Sequence, residues 1–375
     1  METLTKIWLS SPHMGSNEQS FVEEAFRTNW IAPLGPNVSG FESAIEEYLA
    51  NDVHVAALSS GTAAIHLGLK LLGVGPSDEV LCQSFTFSAS ANPITYLGAR
   101  PIFIDSELET WNMSPELLEM AILQRLEEGV KPKAIIAVHL YGMPYKVGEI
   151  HAIGEKYGIP ILEDSAEALG SSCNGQNCGT FGDIAILSFN GNKIITTSGG
   201  GALVSKDLHK KEKAVFLATQ ARDNAPHYQH SEIGHNYRMS NVLAGIGRGQ
   251  MEVLDDRVAA RRRNYHYYLK ELNGFEGLYF LPEPDGMFSN RWLSCVLFDN
   301  YETKEKVRDA LLNENIESRP LWKPMHLQPV FKRNLTFVDG TSETLFDKGL
   351  CLPSGSNLSS EDLERTSRTI KKAIQ

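Results

Sequence analysis

Between about residues 50 and 205, short apolar runs alternate with amphipathic stretches, and this alternation leaves few folds open to the chain. The runs at 53–58, 79–82, 101–104, 134–138, 159–162 and 184–187 are apolar at successive positions, as strands covered on both faces require. Between them the apolar residues fall at helical spacing. Ile65, Leu69 and Leu72 share one face, and Ser114-Pro115 supplies an N-cap and an N1 proline for the helix that follows. Repeated strand–helix–strand units of this kind predict a mostly parallel α/β sheet.

The pattern changes after about residue 240. Residues 242–272 read as one long charged helix carrying Arg257, Arg261, Arg262 and Arg263, expected as a solvated or intersubunit face beside Asp255 and Asp256. An apolar run at 292–298, a helix near 304–314 and a last helix from Ser360 predict a smaller α+β domain. A length of 375 residues allows two or three domains. The net charge of -11 repels phosphate backbones and argues against nucleic acid as a partner. No run reaches the roughly 18 apolar residues that span a membrane, and the N-terminus lacks the basic and apolar regions of a signal peptide. The five cysteines are odd in number and dispersed, as cytosolic thiols are. Cys173 and Cys178 lack the spacing and partners of a zinc site, so no metal is expected. The expectation is a cytoplasmic protein.

Four local patterns carry chemistry. Lys193 lies between the apolar run 183–187 and the stretch Ile194-Ile195-Thr196-Thr197, with Gly199, Gly200 and Gly201 following. An amine in a dry site is a nucleophile for carbonyls; the same pattern also fits a solvated lysine at a strand end followed by a glycine turn. The glycines either allow a close backbone approach or supply positive φ. Ser60-Gly61-Thr62 ends a strand and opens a helix, where free N–H groups and the helix dipole favour a phosphate; the same residues serve equally as plain helix caps. Glu163, Asp164 and Glu167 crowd the carboxyl end of a strand, where open α/β sheets bind ligands. An aspartate there can hold a protonated pyridine nitrogen, or can cap the next helix. In Phe85-Thr86-Phe87 an aromatic at a strand end either stacks on a flat ring or joins the core. Together the four supply a phosphate cradle, a ring platform, a carboxylate and an amine, the set that pyridoxal phosphate needs. No Walker loop or GxGxxG fingerprint accompanies them.

The order of these motifs resembles the nucleotide-sugar aminotransferases of the DegT/StrS type. The similarity extends over nearly the whole chain, including 138–142, 234–240 and 319–326. The strings at 29–36 and 188–201 look most like the subgroup acting on UDP-4-keto-6-deoxy-N-acetylglucosamine. The resemblance implies a fold-type I pyridoxal-phosphate transferase. Its large domain, residues 1–245, would hold a mostly parallel seven-stranded sheet between helices, with an N-terminal segment forming a substrate wall. A smaller α+β domain would occupy residues 246–375. Lys193 would join the cofactor as a Schiff base, Asp164 would pair with the ring nitrogen, and Phe87 would stack on the ring. Gly61, Thr62 and Ser188 would hold the phosphate. Asn236 would reach the phosphate in the other subunit, making a homodimer with shared active sites. Glu167 stands where relatives often carry His or Gln and would touch the cofactor's phenolic oxygen or the substrate. Asn190 stands where many relatives have His.

A nucleotide sugar brings a diphosphate, so Arg319, Lys323 and His326 are expected either near it or in a surface loop whose turns Pro320 and Pro324 fix, and Trp30 either on the opposite wall or in a structural role. The implied reaction moves an amino group from glutamate to a UDP-linked 4-keto sugar, for bacterial cell-surface glycan or exopolysaccharide synthesis of the bacillosamine type. Amination of a 3-keto or a GDP-linked 4-keto sugar is the alternative. A non-enzymatic regulator on the same fold predicts a lost lysine or an added DNA-binding domain, and neither is present. Relatives in which histidine replaces the lysine are dehydratases, and Lys193 argues against that branch.

Overall fold

The apolar runs form strands, and their pairing brings the carboxyl ends of the central ones to one edge. A computed structural model describes residues 5–50 and 52–375. Seven strands, β1 (His54–Leu58), β2 (Glu79–Gln83), β3 (Arg100–Ile104), β4 (Ala134–Val138), β5 (Ile161–Asp164), β6 (Ile184–Ser188) and β7 (Gly201–Ser205), lie in the order β1-β7-β6-β5-β4-β2-β3. β7 runs antiparallel to both its neighbours, and the remaining pairs are parallel. A further two-residue strand, Thr336–Phe337, adds in parallel to the β3 edge, so the sheet has eight strands rather than the expected seven. A pairing that short, made by residues far along the chain, leaves no periodic signal.

Alternation along each strand divides its side chains between two cores. Leu58, Val138, Leu162, Ile186 and Leu203 pack beneath helix Gly61–Leu71 on one face. Ala57, Leu187, Ala202 and Val204 face helix Pro36–Leu49 on the other. Burying each leucine or isoleucine fully stabilises the fold by roughly 1.5–3 kcal/mol. Ser114 caps the helix Pro115–Glu127 by accepting from Leu117 N at 3.2 Å, with the proline in the first turn as expected.

After residue 240 the expected single helix is two, Asn241–Met251 and Leu254–Leu272. The second packs on a four-stranded antiparallel sheet of Leu278–Phe280, Ser294–Phe298, Gly349–Leu352 and Arg319–Pro320. Helices Tyr301–Asn313 and Ser360–Ile374 complete this layer, the latter opened by a capping box between Ser359 and Asp362. The expected solvated arginine face is corrected at two positions. Arg257 is buried, and Arg261 is 1% exposed. Arg261 turns inward because three oxygens await it: Trp292 O at 2.6 Å, Ser10 Oγ at 2.9 Å and Lys193 O at 3.4 Å.

Candidate active site

Asp164 closes β5 and Ser188 closes β6, while only Ser59 and Ser60 separate β1 from helix Gly61–Leu71. The three meet in a cleft of about 320 Å³ at the carboxyl ends of the parallel strands. Ser60 caps the helix by accepting from Ala63 N at 3.0 Å. The first N–H groups, of Gly61 and Thr62, have no acceptor within the helix, and both residues line the cleft. A Cβ on Gly201 would stand 2.4 Å from Gly61 N and from Ser60 C, so the last of the three glycines exists for close approach. β7 packs directly on the backbone of the Ser60–Gly61 turn.

Period-two alternation separates the neighbouring carboxylates. Asp164 faces the cleft, accepting from Ser90 Oγ at 2.7 Å and Ala166 N at 3.1 Å, and Ser90 Oγ lies 2.9 Å from Thr86 Oγ1. Burial pushes the Asp164 carboxyl up. Glu163 points away from the cleft. Its oxygens accept from His139 Nε2 at 2.8 Å, Ser165 Oγ at 3.0 Å, Phe181 N at 2.8 Å and Gly182 N at 2.9 Å. Tyr145 N donates to His139 Nδ1 at 3.2 Å, which leaves the ring proton on Nε2 to face Glu163. Burial alone would raise the Glu163 carboxyl, but the His139 ring and these N–H groups outweigh it and hold it below the usual value.

Lys193 sits on the loop between β6 and β7, with its N–H on Asn190 O at 3.0 Å. Its Nζ is 3.4 Å from Glu167 Oε1 and 4.1 Å from the centroid of the Trp292 ring. Glu167 is buried, and its Oε2 accepts from Tyr141 N at 2.7 Å. Burial pushes this carboxyl up too, while the adjacent Lys193 pulls the other way. Tyr141 reaches Glu167 through a left-handed turn, φ +54°, a conformation costing roughly 1–3 kcal/mol in a non-glycine residue. Gly142 follows at φ +88°, where a Cβ would collide with Asn290 Oδ1. Phe87 is 52% exposed at the mouth, its ring 5.4 Å from that of Trp322. Phe85 is fully buried.

Gly61, Thr62, Phe87, Asp164, Glu167, Ser188 and Lys193 therefore share one cleft. The other expected residues stand outside its lining. Asn236 is exposed, and Trp30 is 43% exposed with its carbonyl held by Asn241 Nδ2 at 2.9 Å. Arg319 is exposed and pairs with Glu317 at 2.9 Å, and Lys323 is exposed. His326 is fixed between Ser84 Oγ at 2.6 Å and Glu343 Oε1 at 3.1 Å. Sequence reasoning gave no role to Trp292 or Ser90, and placed Trp322 only within the 319–326 stretch. The first two reach the cleft through tertiary packing, which no local pattern records.

The chemistry of this set fits pyridoxal phosphate: an amine for the aldehyde, a buried carboxylate for the ring nitrogen, and a bare helix start with Ser188 for the phosphate. Such a cleft on such a sheet defines a pyridoxal-phosphate-dependent transferase. The profile of the DegT/DnrJ/EryC1/StrS aminotransferase family matches residues 12–371, and the chain belongs to that family. It is a sugar transaminase that uses pyridoxal phosphate. EpsN of Bacillus subtilis (strain 168), named as a pyridoxal phosphate-dependent aminotransferase, is 54% identical over 96% of this chain and 94% of its own length. GDP-perosamine synthase of Escherichia coli O157:H7 is 36% identical over 94% of each chain. The crystal structure of a DegT DnrJ EryC1 StrS aminotransferase from Brucella abortus superposes with a TM-score of 0.89 at 30% identity, over 95% of each chain.

Proposed function

We propose that this protein transfers the amino group of glutamate to the keto carbon of a UDP-4-keto-6-deoxy-N-acetyl-hexosamine, as a cytoplasmic homodimer with shared sites, for a bacterial surface glycan or exopolysaccharide. One observation carries the amine transfer: the Lys193 amine lies 3.4 Å from Glu167 in the cleft that Asp164 and the Ser60–Thr62 turn also line. The acceptor rests on the strings at 29–36 and 188–201, whose resemblance is to the UDP-4-keto subgroup. The dimer reading is supported by exposed apolar side chains at Phe26, Trp30, Ile31 and Leu34, a surface suited to a partner.

The cofactor, when bound, supplies an aldehyde that takes up the donor nitrogen and a ring that absorbs carbanion charge. Asp164, held by Ser90 and Ala166 N, holds the ring nitrogen protonated. Gly61, Thr62 and Ser188 bind the phosphate, and Asn236 of one subunit reaches the site of the other. Lys193 Nζ takes the proton from the donor's α-carbon and holds it until it is returned, and one base placed near both carbons is sufficient. Glu167 keeps the amine in that position. Phe87 and Trp322 shield one side of the cleft from water. Arg319, Lys323, His326 and Trp30 contact the sugar nucleotide.

The test is incubation of purified protein with glutamate and, in turn, a UDP-linked 4-keto sugar, a UDP-linked 3-keto sugar and a GDP-linked 4-keto sugar. Mass spectrometry should find amine on the first. Amine on either of the others alone would replace the acceptor assignment and leave the transaminase intact.

A further inference from the structure

We propose that the face of Trp292 seats the Lys193 ammonium that forms when this amine, freed from cofactor, takes up a proton, which makes Trp292 a positioning residue for the lysine that carries the proton. Trp292 is 1% exposed, with its backbone fixed at two points and its ring at one. Its N–H donates to Asn290 Oδ1 at 2.8 Å, its Nε1–H donates to Asn192 O at 2.7 Å, and its carbonyl accepts from Arg261 at 2.6 Å. The Tyr141 ring stacks beside it at 6.3 Å and 20°. Burial, the Nε1–H bond and the neighbouring Tyr141 ring set the orientation of this ring, and Nζ at 4.1 Å from its centroid lies well inside the range of a cation–π contact.

The charged groups around this amine are the carboxyls of Glu167 and Asp164 and, behind the loop, the Arg261 guanidinium on Lys193 O. The Glu167 contact, 3.4 Å, is longer than the roughly 2.7–2.9 Å of a firm charge-assisted bond, so the carboxylate is not the sole hold on the ammonium. An aromatic face differs from a carboxylate in one chemical respect: it attracts the cation but cannot accept its proton. A lysine that must carry a proton from one carbon to another is served by such a partner. Arg261, Ser10 and Asn192 set the loop, since Ser10 Oγ also donates to Asn192 O at 2.7 Å. The inference rests on Lys193 being the reacting amine, and its test separates the two.

The holoenzyme is first treated with glutamate, so that the cofactor carries the amine and Lys193 is free. A pulse of acetic anhydride follows, and peptide mass spectrometry compares labelling of Lys193 with that of the exposed Lys323 across pH. Trp292→Leu should label about tenfold faster at pH 8, with the high-pH plateau within about twofold of the parent. Trp292→Phe keeps a face and should stay within about threefold at pH 8. Because the leucine variant removes packing, fluorinated tryptophan incorporated throughout the parent chain provides a second measurement with unchanged shape, and each added fluorine should speed labelling. Parent-like labelling of the leucine and fluorinated proteins would overturn the proposal. Equal effects of Phe and Leu would also overturn it, because they would assign the role to the Nε1–H bond. So would a plateau that rises as much as the pH 8 rate, since that reports access. A parent protein never labelled at Lys193 would sink the reading of the site itself.

Discussion

Adjacent residues in this chain do unrelated work. Glu163 and Asp164 are consecutive carboxylates, yet one anchors a loop and the other faces the cleft. Glu163→Gln should lower stability by roughly 1.5–3 kcal/mol by discharging a buried acceptor of several N–H groups. Its carboxyl is held below the ordinary 4.5 in the folded protein, so this contribution is complete above that value and is lost as pH falls through the folded value. Denaturation curves of parent and variant should therefore differ fully at neutral pH and converge in acid. Asp164→Asn keeps an acceptor for Ser90 and should leave the fold intact, while turnover falls on the order of 10²–10³-fold. If Glu163→Gln lost turnover with its stability unchanged, the division between the two residues would be wrong.

At the scale of elements, much of the site was legible because it follows strand ends. The runs before Ser60, Gln83, Asp164 and Ser188 announced buried strands, and a parallel sheet brings its carboxyl ends together. What periodicity could not show is which way a helix turns its charges. Arg261 read as part of a solvated or intersubunit face because charged helix surfaces commonly are, and it lies inside because its acceptors come from residues 10, 193 and 292. Likewise Glu252 and Val253 interrupt the expected single helix without a proline or glycine to mark the break. The close approach of β7 to the Ser60–Gly61 turn gives a prediction at this scale. Gly201→Ala meets backbone rather than a flexible side chain, so it should cost about 1–3 kcal/mol and push the turn off its position. Thermal melting and dialysis against phosphate buffer would measure this, and an alanine variant that melts and retains cofactor like the parent would contradict the assignment.

For the whole molecule, the decisive features are those a single chain leaves open. Asn236 is exposed and stands outside the cleft lining of its own chain, and the proposal of shared sites assigns it to a partner's site. Phe26, Trp30, Ile31 and Leu34 leave apolar side chains exposed. Among the described residues, no helix is long and apolar enough to cross a membrane. A mixing experiment follows from the shared-site reading. Lys193→Ala and Asn236→Ala proteins, each inactive alone, should recover about a quarter of parent activity when their subunits exchange, because half the dimers are mixed and each mixed dimer has one intact site. No recovery, with exchange verified by mass, would place Asn236 at its own subunit's site.

The transaminase activity depends on one covalent bond. Borohydride reduction of the holoenzyme followed by peptide mapping tests it most directly. The visible band should bleach, and the reduced cofactor should be found on the peptide bearing Lys193 and on no other lysine. Finding the adduct elsewhere, or an unbleached band in a protein that still makes amino sugar, would contradict the account.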